Sequence, residues 1–227
     1  MRFNTKLLHG NKMGDANTGA TLTPVYQSSA FYQPSAEQHE KLFHNKATGF
    51  SYTRINNPTI FAFEERMTTL EGGIASVACA SGMAAITNAL LNIVTCGQEI
   101  VASTSLYGGS IDVFHDFEAF GIKTVFVDIS DVNAVEAAIN ENTRVIFAET
   151  IGNPKLDVVD IGALAELAHR HELPLVMDNT VATAYLVKPI EKGADIVVNS
   201  TSKYINGNSN AISGVITESG RFKWNKE

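Results

Sequence analysis

Four short polar segments of the sequence each follow an apolar run, where the turn after a strand would lie. They are a Ser-Gly turn before a small-residue helix, an aromatic residue beside Gly-Gly, an Asp-Asn-Thr triplet and a cluster of hydroxyls before a lysine, at 81–83, 107–109, 178–180 and 200–203. Ligands of a parallel sheet bind outside the carboxyl ends of its strands. Each segment alone has an ordinary structural explanation: a helix cap, core packing, a loop anchor or a solvated lysine.

Together, the four segments contain the groups that would hold pyridoxal phosphate (PLP). The backbone N–H groups of a helix that begins after Ser81 could bind its phosphate. Tyr107 could stack on its planar ring, and Asp178 could accept a hydrogen bond from its protonated ring nitrogen. Lys203, held as a free amine, could form a Schiff base with its aldehyde, and the preceding hydroxyls could bind an anionic group. The order of these groups along the chain predicts a PLP site.

The charge balance and the cysteines argue against several other classes of site. The 227 residues include 17 Lys and Arg against 24 Asp and Glu, a formal net charge of −7, so we expect no nucleic-acid surface. Neither Cys79 nor Cys96 lies in a metal-binding spacing and the histidines are scattered, so no metal site is predicted. No apolar run approaches the ~18 residues that span a bilayer, and the N-terminus lacks the apolar stretch of a signal peptide. We therefore expect a cytoplasmic protein that contacts no membrane.

Short apolar runs alternate with helical stretches through most of the chain. The predicted strands are 74–79, 100–103, 124–127, 145–148, 175–178, 196–199 and 211–217, and the predicted helices are 59–71, 83–94, 110–120, 132–140 and 160–170. Nearly apolar strands separated by helices indicate an α/β fold: a mostly parallel sheet of about seven strands with helices on both faces.

The N-terminal part of the sequence has a different character. Residues 9–35 are rich in Gly, Asn, Thr, Ser and Gln without a regular period, which is typical of an irregular arm. A capping box at Ser35 predicts a short helix after it. The predicted organisation is an arm and inter-subunit loop over 1–58, followed by a PLP-binding α/β domain over 59–227.

With these segments, the loop Ser51-Tyr52-Thr53-Arg54 followed by Asn57-Pro58-Thr59 resembles the Cys/Met-metabolism (trans-sulfuration) family of PLP enzymes, which have the fold-type I PLP-transferase fold. The resemblance covers nearly the whole chain, including a Glu149 to Pro154 segment. It implies that Lys203 carries the Schiff base and that Tyr107 also transfers protons. The implied cofactor-binding residues are Tyr52, Arg54, Ser81, Gly82, Met83, Tyr107, Asn153, Asp178, Thr180, Ser200, Ser202 and Lys203.

The resemblance also implies an oligomer and a reaction. In the family, the tyrosine and arginine matched by Tyr52 and Arg54 reach the phosphate of a neighbouring subunit, so we expect a homotetramer built as a dimer of dimers. The stretch from Ser219 to Trp224 is similar to one in the family's O-acetylhomoserine sulfhydrylases. We therefore expect γ-replacement on O-acetylhomoserine, or another O-acylhomoserine, with sulfide or a thiol, in methionine biosynthesis.

Two alternatives remain open, and the family pattern adds one expectation about the chain itself. A PLP-dependent lyase acting on methionine or cystathionine would use the same cofactor residues. A non-covalent nucleotide-binding module is the alternative from another class, although the GxGxxG motif typical of one is absent. The family's C-terminal domain, which supplies an arginine for the substrate carboxylate, is expected to be absent from residues 1–227, and this chain alone is expected to turn over little.

Overall fold

The computed structural model describes residues 1–10, 14–15 and 18–224, which form two compact units, Met1–Arg66 and Met67–Glu227. The boundary predicted from the sequence, 1–58 against 59–227, stays an expectation about domains. Parts of both predicted regions, namely 11–13, 16–17 and 225–227, lie outside the described residues.

The N-terminal unit contains α1 (Phe3–His9), α2 (Ala36–Phe43) and the first part of α3 (Pro58–Glu71). The hydroxyl of Ser35 accepts a hydrogen bond from Gln38 N at 3.1 Å, so Ser35 caps the short helix that was predicted after it. Helix α1 was not predicted, because its 7 residues are too few for a clear helical period and no side chain caps its N-terminus.

The second unit is built on a seven-stranded sheet. Its strands are β1 (Ala75–Cys79), β2 (Glu99–Ser103), β3 (Lys123–Val127), β4 (Thr143–Glu149), β5 (Leu175–Asp178), β6 (Ile196–Asn199) and β7 (Gly214–Glu218). Their spatial order is β1-β7-β6-β5-β4-β2-β3; β7 runs antiparallel to both neighbours and every other pair is parallel. The predicted mostly parallel α/β sheet is confirmed.

Helices cover both faces of this sheet, as predicted. They are α4 (Gly82–Leu91), α5 (Gly108–Asp116), α6 (Val132–Ala138), α7 (Ile161–Arg170) and α8 (Thr183–Leu186), with short 3₁₀ helices at Phe117–Phe120 and Pro189–Lys192. Helix α8, with only 4 residues, was not predicted. No helix among the described residues is long and apolar enough to cross a membrane.

Strand β4 shows why the middle of a central strand is apolar. Val145 and Phe147 belong to a buried cluster that includes residues of α4 and α5, whereas Ile146 and Ala148 belong to a second cluster with residues of α7. Successive side chains of a strand point to opposite faces of the sheet, so this strand serves two cores. An alternating polar pattern would leave one of those cores incomplete.

The antiparallel strand β7 brings the chain back to the edge where the parallel strands end. Its first residue, Gly214, lies so close to the turn before α4 that a Cβ there would overlap the carbonyl oxygen of Ser81 and lie 2.9 Å from Gly82 N. Only glycine permits this approach between two backbones. The position of β7 and that of the turn at Ser81 are therefore coupled.

We expect Gly214→Ala to lower the free energy of unfolding by about 1–3 kcal/mol, because backbone rather than a flexible side chain must move. Gly162→Ala is the matched control: its Cβ would meet nothing closer than Asp160 Oδ1 at 3.5 Å. In α7 that alanine should raise stability by about 0.5–1 kcal/mol. Urea denaturation measures both variants. A Gly214→Ala protein as stable as the parent would contradict the proposed coupling.

Candidate active site

An open cleft of about 820 Å³ lies in the second unit, at the carboxyl edge of the sheet. The parallel strands β4, β5 and β6 all end at this edge, and β7 begins there. Ten residues predicted from the sequence line the cleft: Ser81, Gly82, Met83, Tyr107, Asn153, Asp178, Thr180, Ser200, Ser202 and Lys203. The fold thus brings together residues as far apart in the chain as Ser81 and Lys203.

The turn at 81–83 has the geometry of an anion-binding helix N-terminus. The hydroxyl of Ser81 caps α4 by accepting a hydrogen bond from Ala84 N at 3.0 Å. A Cβ on Gly82 would overlap the side chain of Ser200 and lie 2.9 Å from its Cα, so the helix approaches the end of β6 closely. The free N–H groups of α4 and the hydroxyl of Ser200 therefore share one side of the cleft, and this arrangement suits a phosphate.

Asp178 ends β5 with a buried carboxylate, 9% exposed. Burial raises the pKa of this carboxyl, whereas hydrogen bonds from Thr180, including one from its backbone N at 2.8 Å, lower it. No positively charged side chain among the described residues contributes to this pKa. A carboxylate buried without a cation suits a ligand that brings its own positive charge, such as the protonated ring nitrogen of PLP.

Glu149 is a residue of the cleft that the sequence analysis did not select as a candidate ligand. It ends β4 in register with Asp178, and its Oε1 accepts a hydrogen bond from Tyr107 N at 2.7 Å. Burial raises the pKa of Glu149 to about 8, the backbone bonds from Tyr107 and Asn153 lower it, and the nearby Asp178 raises it further. Glu149 therefore fixes the backbone at two predicted cofactor-binding residues.

The hydroxyls before Lys203 have different hydrogen-bonding roles. Ser202 Oγ donates to Ser213 O at 3.1 Å and accepts from Ser213 N at 2.9 Å, so its single proton is already used. Ser200 N donates to Thr180 Oγ1 at 2.7 Å, and the hydroxyl of Ser200 makes no hydrogen bond to the described residues. Lys203 is exposed at the cleft. Of the two serines, Ser200 is the better available donor.

Tyr52 and Arg54 belong to the N-terminal unit. There the Arg54 guanidinium lies 5.4 Å from the centroid of the Tyr52 ring, and both side chains are exposed. Their role toward a neighbouring subunit stays a prediction. Among the described residues, no group of three or more His, Cys, Asp or Glu could hold a metal ion.

Three comparisons with known proteins point to the same group of enzymes. The O-acetyl-L-homoserine sulfhydrylase of Corynebacterium glutamicum is 44% identical over 99% of this chain and 52% of its own length. The L-methionine gamma-lyase of Pseudomonas putida is 39% identical over 96% of this chain and 55% of its own length. The crystal structure of a putative O-acetylhomoserine (thiol)-lyase from Campylobacter jejuni, which contains a pyridoxyl-lysine monophosphate, superposes with a TM-score of 0.93 at 33% identity, over 98% of this chain and 55% of that one.

This chain therefore spans about half the length of the curated relatives it matches. The model of one protein family, described as Cys/Met metabolism PLP-dependent enzyme, matches residues 4–227. That match extends over nearly all of the sequence, including every segment that lines the cleft. The chain belongs to the family of Cys/Met metabolism PLP-dependent enzymes.

Proposed function

We propose that this protein catalyses PLP-dependent γ-replacement on O-acetylhomoserine or a related O-acylhomoserine, with sulfide or a thiol as the nucleophile. The observation that supports it most is the cleft itself, where a helix N-terminus, a buried carboxylate without a cation and a lysine converge. The similarity to O-acetyl-L-homoserine sulfhydrylases supports the choice of substrate.

The proposed roles follow from the position of each group. Bound PLP would supply an electron-withdrawing ring that stabilises negative charge on the α carbon of the substrate. Asp178 would keep a proton on the ring nitrogen, since a buried carboxylate favours a cationic partner. The amine of Lys203 would bind the cofactor and then remove the α proton, and Tyr107 would move a proton near the γ position.

The remaining predicted residues would hold the cofactor in place. The N–H groups of Gly82 and Met83, with the hydroxyl of Ser200, would bind the phosphate, and Asn153 would lie near the phenolic oxygen of the ring. Ser81 and Thr180 would shape the same pocket through the cap of α4 and the bond to Ser200 N. Ser202 would act mainly through its bonds to Ser213.

We further propose a homo-oligomer, a dimer of dimers, in which Tyr52 and Arg54 complete the phosphate site of a neighbouring subunit. The exposure of both side chains is compatible with such a role. A guanidinium is well suited to a phosphate because its N–H groups can donate two parallel hydrogen bonds.

A lyase is the second candidate function. Its support is specific: L-methionine gamma-lyases of two Pseudomonas species and of Fusobacterium nucleatum are 39–43% identical to this chain. Elimination and replacement share every step up to departure of the γ substituent, so the same cleft residues would serve both reactions.

We expect Ser200→Ala to weaken PLP binding about tenfold or more, because a hydrogen bond to a charged phosphate is lost. Ser202→Ala is the matched control: its proton is already bound to Ser213 O, so PLP affinity should change less than about threefold. Fluorescence titration of each purified variant with PLP measures the dissociation constants. A larger loss of affinity in Ser202→Ala than in Ser200→Ala would refute this assignment.

The reaction type is tested by comparing the two reactions on the purified protein. We expect homocysteine to form from O-acetylhomoserine and sulfide at a higher kcat/KM than that for the release of a 2-oxo acid and ammonia from methionine alone. Parallel assays of the two products at equal enzyme concentration measure the ratio. Dominant methionine cleavage would support the lyase instead. A protein that does not bind PLP but is stabilised by ATP or NAD would support a nucleotide-binding module.

A further inference from the structure

Glu71, the last residue of α3, is an acidic side chain in the interior that has no place in the proposed chemistry. Its exposed fraction is 0%, and it does not line the cleft. Burial raises the pKa of Glu71 to about 7, while hydrogen bonds from Asn199 and Asn179 and the charge of Lys188 lower it. Burying a carboxylate costs free energy unless hydrogen bonds or an opposite charge compensate it.

The partners of Glu71 are two asparagines next to the proposed cofactor ligands. Asn199 Nδ2 donates to Glu71 Oε1 at 2.9 Å, and Asn179 Nδ2 lies 3.4 Å from each carboxylate oxygen while donating to Val187 O at 3.0 Å. Asn179 stands between Asp178 and Thr180, and Asn199 directly precedes Ser200. One carboxylate thus connects the ends of β5 and β6.

Within the described residues, Glu71 is the only hydrogen-bond partner of the Asn199 side chain, whereas the Asn179 amide also donates to Val187 O. The Oδ1 atoms of Asn179 and Asn199 are both buried without a hydrogen-bond partner there, so each amide is oriented through its nitrogen. At this end of the two strands, Glu71 acts together with the bond from Ser200 N to Thr180 Oγ1. Loss of the carboxylate would leave the buried amide donor of Asn199 without a partner, which costs more than the hydrogen bond itself contributes, and would leave Asn179 bonded to Val187 O alone.

The opposite end of the same strand pair has an equivalent carboxylate with no ligand site beside it. Asp195, 1% exposed, accepts a hydrogen bond from Leu175 N at 2.8 Å and lies 2.9 Å from His169 Nε2. It joins the start of β5 to the start of β6, as Glu71 joins their ends. Asp195 is therefore a control: replacing it removes a buried carboxylate from the same strand pair without touching the cleft.

We propose that Glu71 is a positioning residue of the cofactor site: by accepting hydrogen bonds from Asn179 and Asn199, it fixes the spacing between Asp178 and the Ser200–Lys203 segment. This inference rests on the proposed function, in which the first binds the ring nitrogen of PLP and the second its phosphate and aldehyde carbon. Both ends of a rigid ligand bind well only if their partners are held at a fixed separation.

The test is Glu71→Gln, which keeps the size of the side chain but replaces one acceptor oxygen by an NH₂ group. An NH₂ group cannot accept a hydrogen bond, so either Asn199 loses its acceptor or Asn179 keeps only one of the two oxygens that lie 3.4 Å from its Nδ2. We expect PLP affinity to fall about tenfold or more, with a changed ³¹P chemical shift of the bound phosphate. Asp195→Asn should lower the urea stability of the cofactor-free protein but change PLP affinity less than about threefold.

Two results would overturn the inference. One is a Glu71→Gln protein that binds PLP with the parent's affinity and ³¹P shift. The other is a loss of affinity in Asp195→Asn as large as that in Glu71→Gln, which would mean that affinity only follows stability.

A second variant guards against a Glu71→Gln protein that does not fold. Asn199→Ala removes one donor but leaves the carboxylate bonded to Asn179, and it must show the same selective loss of PLP affinity for the inference to stand. The parent protein separates the two proposals: if it fails to bind PLP, the proposed function falls and this inference with it, whereas normal binding by the parent and by Glu71→Gln removes this inference alone.

Discussion

Burial of carboxylates at one edge of a parallel sheet is the constraint on which the rest of this structure depends. Glu149 and Asp178 end adjacent strands in register, and Glu71 accepts a hydrogen bond from Asn199 at the end of the next strand, β6. Water cannot stabilise these groups, so each needs donors or a cation from its surroundings. Glu149 takes backbone N–H groups and Glu71 takes amide N–H groups. Among the described residues, the Asp178 carboxylate accepts hydrogen bonds only from Thr180, and it lines the cleft, which leaves it available to a cationic ligand.

The fold produces this edge from simple packing rules. Strands that supply two cores are apolar along their length, so polar side chains are placed only where the strands end. The antiparallel return of β7 then brings Gly214 against Ser81, and Gly82 packs against Ser200. Two close backbone approaches thus hold the N-terminus of α4 beside the end of β6. The side of the cleft that suits a phosphate and the side that carries the carboxylates are parts of one packed arrangement.

The sequence could predict those features that depend on local pattern. Apolar runs located all seven strands; Asp178 was found because it ends one such run, and Lys203 because it follows the hydroxyl cluster after another. Features that depend on distant contacts escaped: Glu71 and Asn199 are 128 positions apart, and only the fold shows that they touch. Glu149 could have been found, since it ends an apolar run as Asp178 does. The hydrogen bond from the Ser202 hydroxyl to Ser213 O could not be predicted either, because Ser213 lies outside the 200–203 segment.

Borohydride trapping is the direct test of the proposal that Lys203 binds PLP in this cleft. The protein is loaded with PLP, reduced with borohydride and digested, and the peptides are mapped by mass spectrometry. We expect a pyridoxyl group on the peptide that contains Lys203, at about one per chain, and none in Lys203→Ala. Labelling of another lysine, or an undiminished label in Lys203→Ala, would contradict it.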